Sequence, residues 1–479
     1  MLAATRHIPL QHAQVLLMIV LSVWVLPGAI RAQTLDHPPQ EGVVADVPSL
    51  DDLMSFANGQ SDLRVALERY AEDRAALHRR YDVEFSPTLR ARMRLFYRGW
   101  QSRLEELDFE ALNHEGQADY VMLSNRLVFE LETLDAEERF TAANPQSLAQ
   151  YQRACESLPG GNTRTGMYYA PYPLAMARGE GAYMWDLDGH RYHDYAGDFS
   201  AGLYGHSNPI VHAAVKEALE AGVTFGSASA HEARLAALVC ARVPSIERVR
   251  FCNSGTEANI MALVTANAVT KRSKIMVFEG AYHGGTLSFP PSDSPINVPF
   301  DFIQAPYNDI DGTAALFDQH GDSLSAVLVE TMQGAGGCIP GATDFLALLR
   351  ERASQHGAIL IFDEVMTSRL GPTGRQGALG IIPDMTTLGK YVGGGMPAGA
   401  FGGRADIMAH YDPREKGHFV HHGTFNNNVL TLAGGAAGLE KVYTPEAATA
   451  LTAAGETLRA RLNELGQKHG LPFQAAGYG

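Results

Sequence analysis

Four short apolar runs constrain this chain more than any other feature. They are Val249-Arg250-Phe251, Lys274-Ile275-Met276-Val277-Phe278, Ala326-Val327-Leu328-Val329 and Ile359-Leu360-Ile361-Phe362. Each is too short for a helix, and most are bounded by polar residues or glycine, the pattern of strands buried on both faces. Between them lie helical patterns, such as Glu257 to Val269 and Ala342 to Gln355. Strand–helix alternation of this kind predicts an α/β fold around a parallel sheet. No internal repeat interrupts it.

The remainder of the chain has a different texture. Arg6 and His7 precede an apolar run from Val15 to Leu26, then Pro27, Gly28 and Ile30-Arg31-Ala32. Residues 1–32 therefore have the layout of a secretory signal peptide, or of an anchor if the segment is not cleaved. Such a start implies export or membrane anchoring; a spurious upstream translation would produce it too. Residues 33–48, rich in Pro, Gln, Gly and Asp, read as a linker. In residues 49–140 the period is helical: Leu63, Leu67, Tyr70, Leu77 and Tyr81, then Leu104, Leu107 and Ala111, then Leu123, Leu127 and Leu131. Glu68, Glu72 and Arg79 take the opposite face of the first stretch, so it is amphipathic. No group of chemistry-bearing residues appears there, which favours a packing module. The run from Arg69 through Leu134 resembles the N-terminal helices of a large, secreted, all-helical bacterial family often related to zinc peptidases, without that family's metal-binding part.

Composition excludes some functions. A formal charge of -15 argues against nonspecific nucleic-acid binding. The 4 cysteines, Cys155, Cys240, Cys252 and Cys338, form no CxxC pair, so neither a zinc knuckle nor a disulfide scaffold is expected. His114-Glu115 and His231-Glu232 lack the second histidine of a zinc helix, and no metal site is expected.

Four motifs in the α/β part carry chemistry. Asn253-Ser254-Gly255-Thr256-Glu257 follows a strand and opens a helix. Gly255 permits close backbone approach, Ser254 and Thr256 add hydroxyls, and a helix N-terminus favours a phosphate dianion. Read alone, the same turn is an ordinary helix cap. Tyr282-His283-Gly284-Gly285 follows the strand ending at Phe278 and offers an aromatic face, or merely a packed loop tyrosine. Asp363 ends the strand Ile359 to Phe362, at the sheet edge where α/β sites form, with Val365 two residues on. A strand-end carboxylate also suits a metal, but Glu364 would point to the opposite face. Thr387-Leu388-Gly389-Lys390-Tyr391 places one lysine before Gly393-Gly394-Gly395. A surface position is the usual fate of lysine; the apolar flanks and Gly389 favour a buried amine, which is a nucleophile. A phosphate cradle, a stacking ring, an anion and an amine are the four groups that pyridoxal phosphate requires: for its phosphate, its ring face, its ring nitrogen and its aldehyde.

Residues 141–479 resemble the class III pyridoxal-phosphate-dependent aminotransferases of fold type I through YGHSNP, FCNSGTEANIMAL, FEGAYHGG, LVETMQGAGGCIPG, IFDEVMTSR, TTLGKYVGGGMPAGAFGGR and HHGTFNNNVL. Within that family they look most like β-phenylalanine aminotransferases, then glutamate-1-semialdehyde aminomutases. The resemblance implies a three-layer α/β/α large domain and a small domain. It implies that Lys390 forms the Schiff base, that Asp363 holds the ring nitrogen with Val365 behind the ring, that Tyr282 stacks, and that Ser254, Gly255 and Thr256 cradle the phosphate. Glu330 and Gln333 would lie on the O3′ side. Thr424 would reach a phosphate in the partner subunit of a homodimer with shared sites. Arg164, in Gly160-Gly161-Asn162-Thr163-Arg164, matches the arginine that binds a substrate carboxylate, for which its fork is suited. Tyr168, Tyr169, Pro171 and Tyr172 would line an aromatic pocket. Asn426-Asn427-Asn428-Val429 stands where aminomutases usually carry Gly-Asn-Pro. The expected substrates are an aromatic β-amino acid, such as β-phenylalanine, and a 2-oxo acid. The other readings are an aminomutase, and a non-catalytic fusion of a helical module to the fold. Members of this class normally work in the cytoplasm, against the leader-like start.

The resemblance divides the enzyme part into 141–205, a cofactor-binding domain at 206–440, and 441–479, the start of the small domain. It runs unbroken to Gly479 and stops. The helix from Pro445 to His469 places Ala448, Leu451, Leu458, Leu462 and Leu465 on one side. With the rest of the small domain absent that face would meet water, and poor folding beyond about residue 440 is expected, because each leucine would forfeit roughly 1.5–3 kcal/mol of burial.

Overall fold

A computed structural model describes residues 48–54, 60–290 and 294–478. The signal-like segment and nearly all of the linker lie outside the described residues. The chain divides into two compact units. The first runs up to Arg178 and takes in Trp185–Tyr192; the second holds Gly179–Met184 and the chain from His193 onward.

The first unit is helical. Its helices are Leu50–Met54, Arg64–Arg80, Pro87–Glu105, His114–Ala143 and Pro145–Cys155. Ser86 caps the third by accepting from the Leu89 N–H at 3.1 Å, with Pro87 in the first turn, where its missing N–H costs nothing. Asn113 caps the fourth through the Gly116 N–H at 2.7 Å. Leu63, Tyr70, Phe96, Tyr97, Trp100, Leu123 and Leu127 form one apolar core, in which Tyr70 stacks on Phe96 at 5.5 Å. The spacing at Leu104, Leu107 and Ala111 predicts one continuous helix, but the helix ends at Glu105 and a short 3-10 turn follows at Phe109–Ala111. The Asp108 carboxylate accepts from the Glu110 N–H at 3.1 Å, a local alternative to helical hydrogen bonding that restarts the chain. The fourth helix runs on to Ala143, past the change of texture at Phe140.

Strands β1 (Met176–Glu180), β2 (Tyr183–Asp186) and β3 (Arg191–His193) lie where the chain passes from one unit to the other. The second unit is built on a seven-stranded sheet of β4 (Arg248–Cys252), β5 (Lys274–Phe278), β6 (Asp301–Ala305), β7 (Leu324–Glu330), β10 (Ile359–Asp363), β11 (Met385–Gly389) and β12 (Gly399–Gly403). Between β7 and β10 lie the short paired β8 (Met332–Gln333) and β9 (Ile339–Pro340). The strand order is β4-β12-β11-β10-β7-β5-β6. All four expected strands are present, and the helices Gly255–Thr270 and Thr343–His356 occupy the two expected stretches. This is the expected α/β architecture.

The sheet is mixed where alternation alone predicts a parallel one: β12 runs antiparallel to both β11 and β4. Its sequence, Gly-Ala-Phe-Gly-Gly, has little strand propensity. The glycines are there for close approach. A Cβ at Gly399 would fall 2.0 Å from the Ser254 carbonyl oxygen, and one at Gly403 2.2 Å from that of Asp384. β7, β10, β11 and β12 are buried along their whole length, with apolar clusters on both sheet faces.

The last described helix, Pro445–Lys468, is capped by Thr444. Ala448 is buried, whereas Leu451, Leu458, Leu462 and Leu465 are 37–60% exposed. Among the described residues no helix is long and apolar enough to cross a membrane, and no metal-binding cluster of His, Cys, Asp or Glu is present.

Candidate active site

Strands β5, β7, β10 and β11 are mutually parallel, and β4 shares their direction because both it and β11 oppose β12. Their C-terminal ends therefore lie along one edge. Cys252, Phe278, Glu330, Asp363 and Gly389 end these strands, and the segments that carry Ser254, Tyr282, Gln333, Val365 and Lys390 follow from them. Glu330 and Thr387 are the register partners of Asp363 on its two sides. Loops at such an edge converge on a ligand site.

Asp363 is buried and its oxygens are well supplied with donors. Oδ2 accepts from His283 Nδ1 at 2.8 Å and from Asn259 Nδ2 at 2.8 Å. Oδ1 accepts from the Val365 N–H at 3.0 Å, and the Thr387 hydroxyl lies 3.4 Å away. Burial alone would push this carboxyl up. The hydrogen bond and charge of His283, the Val365 N–H and the Lys390 ammonium outweigh it and hold the group below the usual carboxylate range.

Glu330 accepts from the Tyr282 N–H at 3.0 Å on one oxygen and from the Gly334 N–H at 3.0 Å on the other. Its burial dominates, opposed by His283 and reinforced by Asp363, and its pKa is pushed up to about 7. Gln333 donates to the Glu279 carbonyl at 2.7 Å. Through Glu330 the loop carrying Tyr282 is tied to the strand beside Asp363; the Tyr282 ring itself is 46% exposed.

The turn after β4 is an N-cap in the ordinary sense: Ser254 Oγ accepts from the Glu257 N–H at 3.1 Å. It is also a tight passage. A Cβ at Gly255 would lie 2.9 Å from both Val365 methyls, and one at Gly389 would lie 3.2 Å from one of them. Val365 thus packs against the backbone of both glycines. Thr256 Oγ1 accepts from the Gly285 N–H at 3.3 Å, which ties this turn to the tyrosine loop. Lys390 follows β11 directly, half-buried, with a left-handed φ of 55° that a lysine rarely adopts. Strain of this kind clusters at functional sites.

Glu364 does face away from this cluster, as alternation along the strand requires. Its carboxylate takes the N–H groups of Arg375 at 2.8 Å and Gln376 at 2.9 Å. Thr424 sits on an exposed turn; Asn426, two residues on, accepts from Asn253 Nδ2 at 3.0 Å, so this turn adjoins the Ser254 loop. Arg164 belongs to the first unit, exposed, before a 3-10 turn at Thr165–Met167, its N–H bonded to Asn162 Oδ1 at 2.9 Å. Tyr172 is fully buried in the first unit among Phe85, Phe140 and Tyr151, so it is core rather than pocket lining.

Three residues of the cluster were not singled out by sequence: Asn259, His283 and Thr387. Each carried a signal. Asn259 is a lone amide in the apolar helix Gly255–Thr270, and a polar side chain on a buried face needs a partner. His283 is next to the tyrosine of the ring-face motif, and Thr387 opens the lysine motif.

Comparison with known proteins shows the family. The model of the class-III aminotransferase family matches residues 166–479. A β-phenylalanine transaminase of Variovorax paradoxus is 56% identical over 345 residues, 72% of this chain and 79% of the relative. A glutamate-1-semialdehyde 2,1-aminomutase of Rhodopirellula baltica is 42% identical over 318 residues, 62% of this chain and 72% of the relative. The crystal structure of a β-phenylalanine aminotransferase from Variovorax paradoxus is similar with a TM-score of 0.71 at 56% identity, covering 72% of this chain and 80% of that one.

Proposed function

Because the chain belongs to the class III aminotransferases, which are pyridoxal-phosphate-dependent, we propose that it moves the amino group of an aromatic β-amino acid such as β-phenylalanine to a 2-oxo acid. The identity of 56% over most of a β-phenylalanine transaminase carries this reading.

The residues present fit the cofactor. The buried carboxylate Asp363 suits a protonated ring nitrogen, and Lys390 suits the aldehyde. The Ser254-Gly255-Thr256 turn at a helix N-terminus suits the phosphate. Val365 would back the ring, Tyr282 would cover its other face, and Glu330 and Gln333 would flank its O3′ side. Thr424 would serve the partner subunit's phosphate in a homodimer. When bound, the cofactor supplies an aldehyde that accepts the amino group and a ring that takes up an electron pair.

The chain's own groups then have defined tasks. Lys390 Nζ would take the proton from the amine-bearing carbon and return it to the former aldehyde carbon on the other side of the nitrogen. Asp363 keeps a proton on the ring nitrogen throughout. Arg164 would grip the substrate carboxylate bidentately and so favour amino acids over simple amines.

The test is a donor panel on purified protein with 2-oxoglutarate or pyruvate as acceptor. β-Phenylalanine should be converted and glutamate-1-semialdehyde should not. Preference for the semialdehyde would make the chain an aminomutase, and no bound yellow cofactor would leave it a non-catalytic fusion. Arg164→Ala should raise KM for β-phenylalanine far more than for an amine lacking the carboxylate; equal changes would remove Arg164 from the substrate site.

A further inference from the structure

We propose that His283 is the positioning residue that keeps Asp363 ionised and turns one of its oxygens toward the cofactor's ring nitrogen. The proposal rests on the cofactor reading above and adds a residue to it.

The donors around this one carboxylate are unevenly shared. Oδ2 is filled, by His283 Nδ1 and Asn259 Nδ2, both at 2.8 Å. Oδ1 holds one good bond, from the Val365 N–H at 3.0 Å. Its second neighbour, the Thr387 hydroxyl at 3.4 Å, is committed elsewhere, because it donates to Asn259 Oδ1 at 2.6 Å. Oδ1 therefore has room for one further donor and Oδ2 has none. A ring N–H entering this site is directed to Oδ1.

His283 sets that asymmetry. Its ring is buried, 2% exposed, and its backbone is fixed on both sides: its N–H donates to the Leu287 carbonyl at 2.8 Å, and its carbonyl accepts from Asn259 Nδ2 at 2.8 Å. An ionised Asp363 can only accept, so Nδ1 carries the proton and the tautomer follows. Nε2 is buried without a partner, which leaves the bond to Asp363 as the one polar task of the ring. Two other charged groups face this pair. The Lys390 ammonium favours an ionised Asp363, and Glu330 opposes it. Without the imidazole donor, burial and Glu330 would drive Asp363 toward its neutral form, which cannot hold the ring nitrogen protonated.

Two near-isosteric variants test this in the full chain. His283→Asn keeps an N–H donor at the place of Nδ1; His283→Gln moves it to the place of Nε2. Both are polar and of similar size, so a merely structural role would affect them alike. Each is loaded with pyridoxal phosphate labelled with nitrogen-15 in the ring, and the ring-nitrogen chemical shift and the kinetics are read. The wild type should show a protonated ring nitrogen. His283→Asn should keep that shift and stay within about threefold of wild-type kcat. His283→Gln should move the shift toward the unprotonated value and lower kcat by about tenfold or more, with KM nearly unchanged. Equal shifts and equal kcat in the two variants overturn the proposal. A wild type that binds no cofactor would instead sink the functional reading beneath it. As a second measurement, the wild-type ring nitrogen should stay protonated as pH rises from about 6 to 9, since an ionised carboxylate beside it favours the protonated ring; loss of the proton within that range also overturns it.

Discussion

The two units of this chain both bury charged and polar groups, and they do so differently. In the helical unit Glu130 lies between Arg74 at 2.9 Å and Arg126 at 2.5 Å, side chains that reach solvent at the rim of an aromatic core. Deeper in, the Tyr70 hydroxyl, the Trp100 Nε1 and two Arg92 nitrogens have no hydrogen-bond partner. In the α/β unit the buried carboxylates Glu330, Asp363 and Glu364 each receive two or more donors, and most of these come from backbone N–H groups or fixed amides. Bare buried polar atoms occur in both units, His283 Nε2 among them, so what differs is the supply of donors to the buried carboxylates. A charge surrounded by fixed donors is pre-organised, as a site requires. The contrast fits packing for the first unit's core and chemistry at the strand ends of the second.

The largest expected effect would test the chemical half of that contrast. Lys390→Ala should abolish the borohydride-reducible link to the cofactor and lower turnover by roughly 10³-fold or more, the scale of losing a positioned acid–base group. A reduced pyridoxyl adduct on another lysine would move the site elsewhere and end the comparison as drawn.

The next largest tests the packing half. Trp100 is the most voluminous of the fully buried side chains. Trp100→Ala should cost the helical core about 3–5 kcal/mol, measured as a lower thermal midpoint in circular dichroism at helical wavelengths. The cofactor's visible absorbance should survive at temperatures where those helices have melted. Simultaneous loss of both signals would show that the two units fold as one.

What could be read in the sequence follows the same division. The central strands were legible because β7 and β10 are apolar on both faces, and no helix of that length hides among their polar flanks. Lys390, Asp363 and the Ser254 turn were legible because each sits beside a strand end and belongs to a motif. β12 was not, because its glycines are chosen for clearance from Ser254 and Asp384, which lie far off in sequence. His283, Asn259 and Thr387 act through Asp363 from a loop, a helix and another strand; only the fold brings these residues together. In the helical unit the helical spacing gave much of the core face, but the break after Glu105 depended on the Asp108 side chain bonding its own backbone, which periodicity does not report.

A smaller effect sharpens the role of Asp363. Asp363→Asn should leave the lysine link intact and slow turnover by at least about tenfold, or about 1.4 kcal/mol of transition-state stabilisation. The amide no longer holds a proton on the ring nitrogen. Unchanged turnover would give that role to Glu330 or another neighbour, and the single-carboxylate site would give way to a shared one.

The smallest effect separates the two carboxylates by the sign of their pH dependence. The Glu330 carboxyl is raised from 4.5 to about 7 in the folded protein. Between those values the folded chain holds a proton that the unfolded chain has released, so this group's contribution to stability falls as pH rises from about 4.5 to 7. Asp363 is displaced the other way, and its contribution is present above the ordinary carboxylate range and lost as pH falls. Glu330→Gln removes the first contribution and leaves the second. Thermal midpoints of the cofactor-free protein, measured from about pH 5 to 7, should therefore decline less steeply in the variant than in the wild type. The amide introduced by Glu330→Gln offers one acceptor oxygen in place of two, so either the Tyr282 or the Gly334 N–H loses its partner, and the midpoint should be lower at every pH. Parallel curves for variant and wild type would mean that Glu330 is ionised throughout, and the buried edge would then hold two negative charges on neighbouring strands with His283 and Lys390 as their counter-charges.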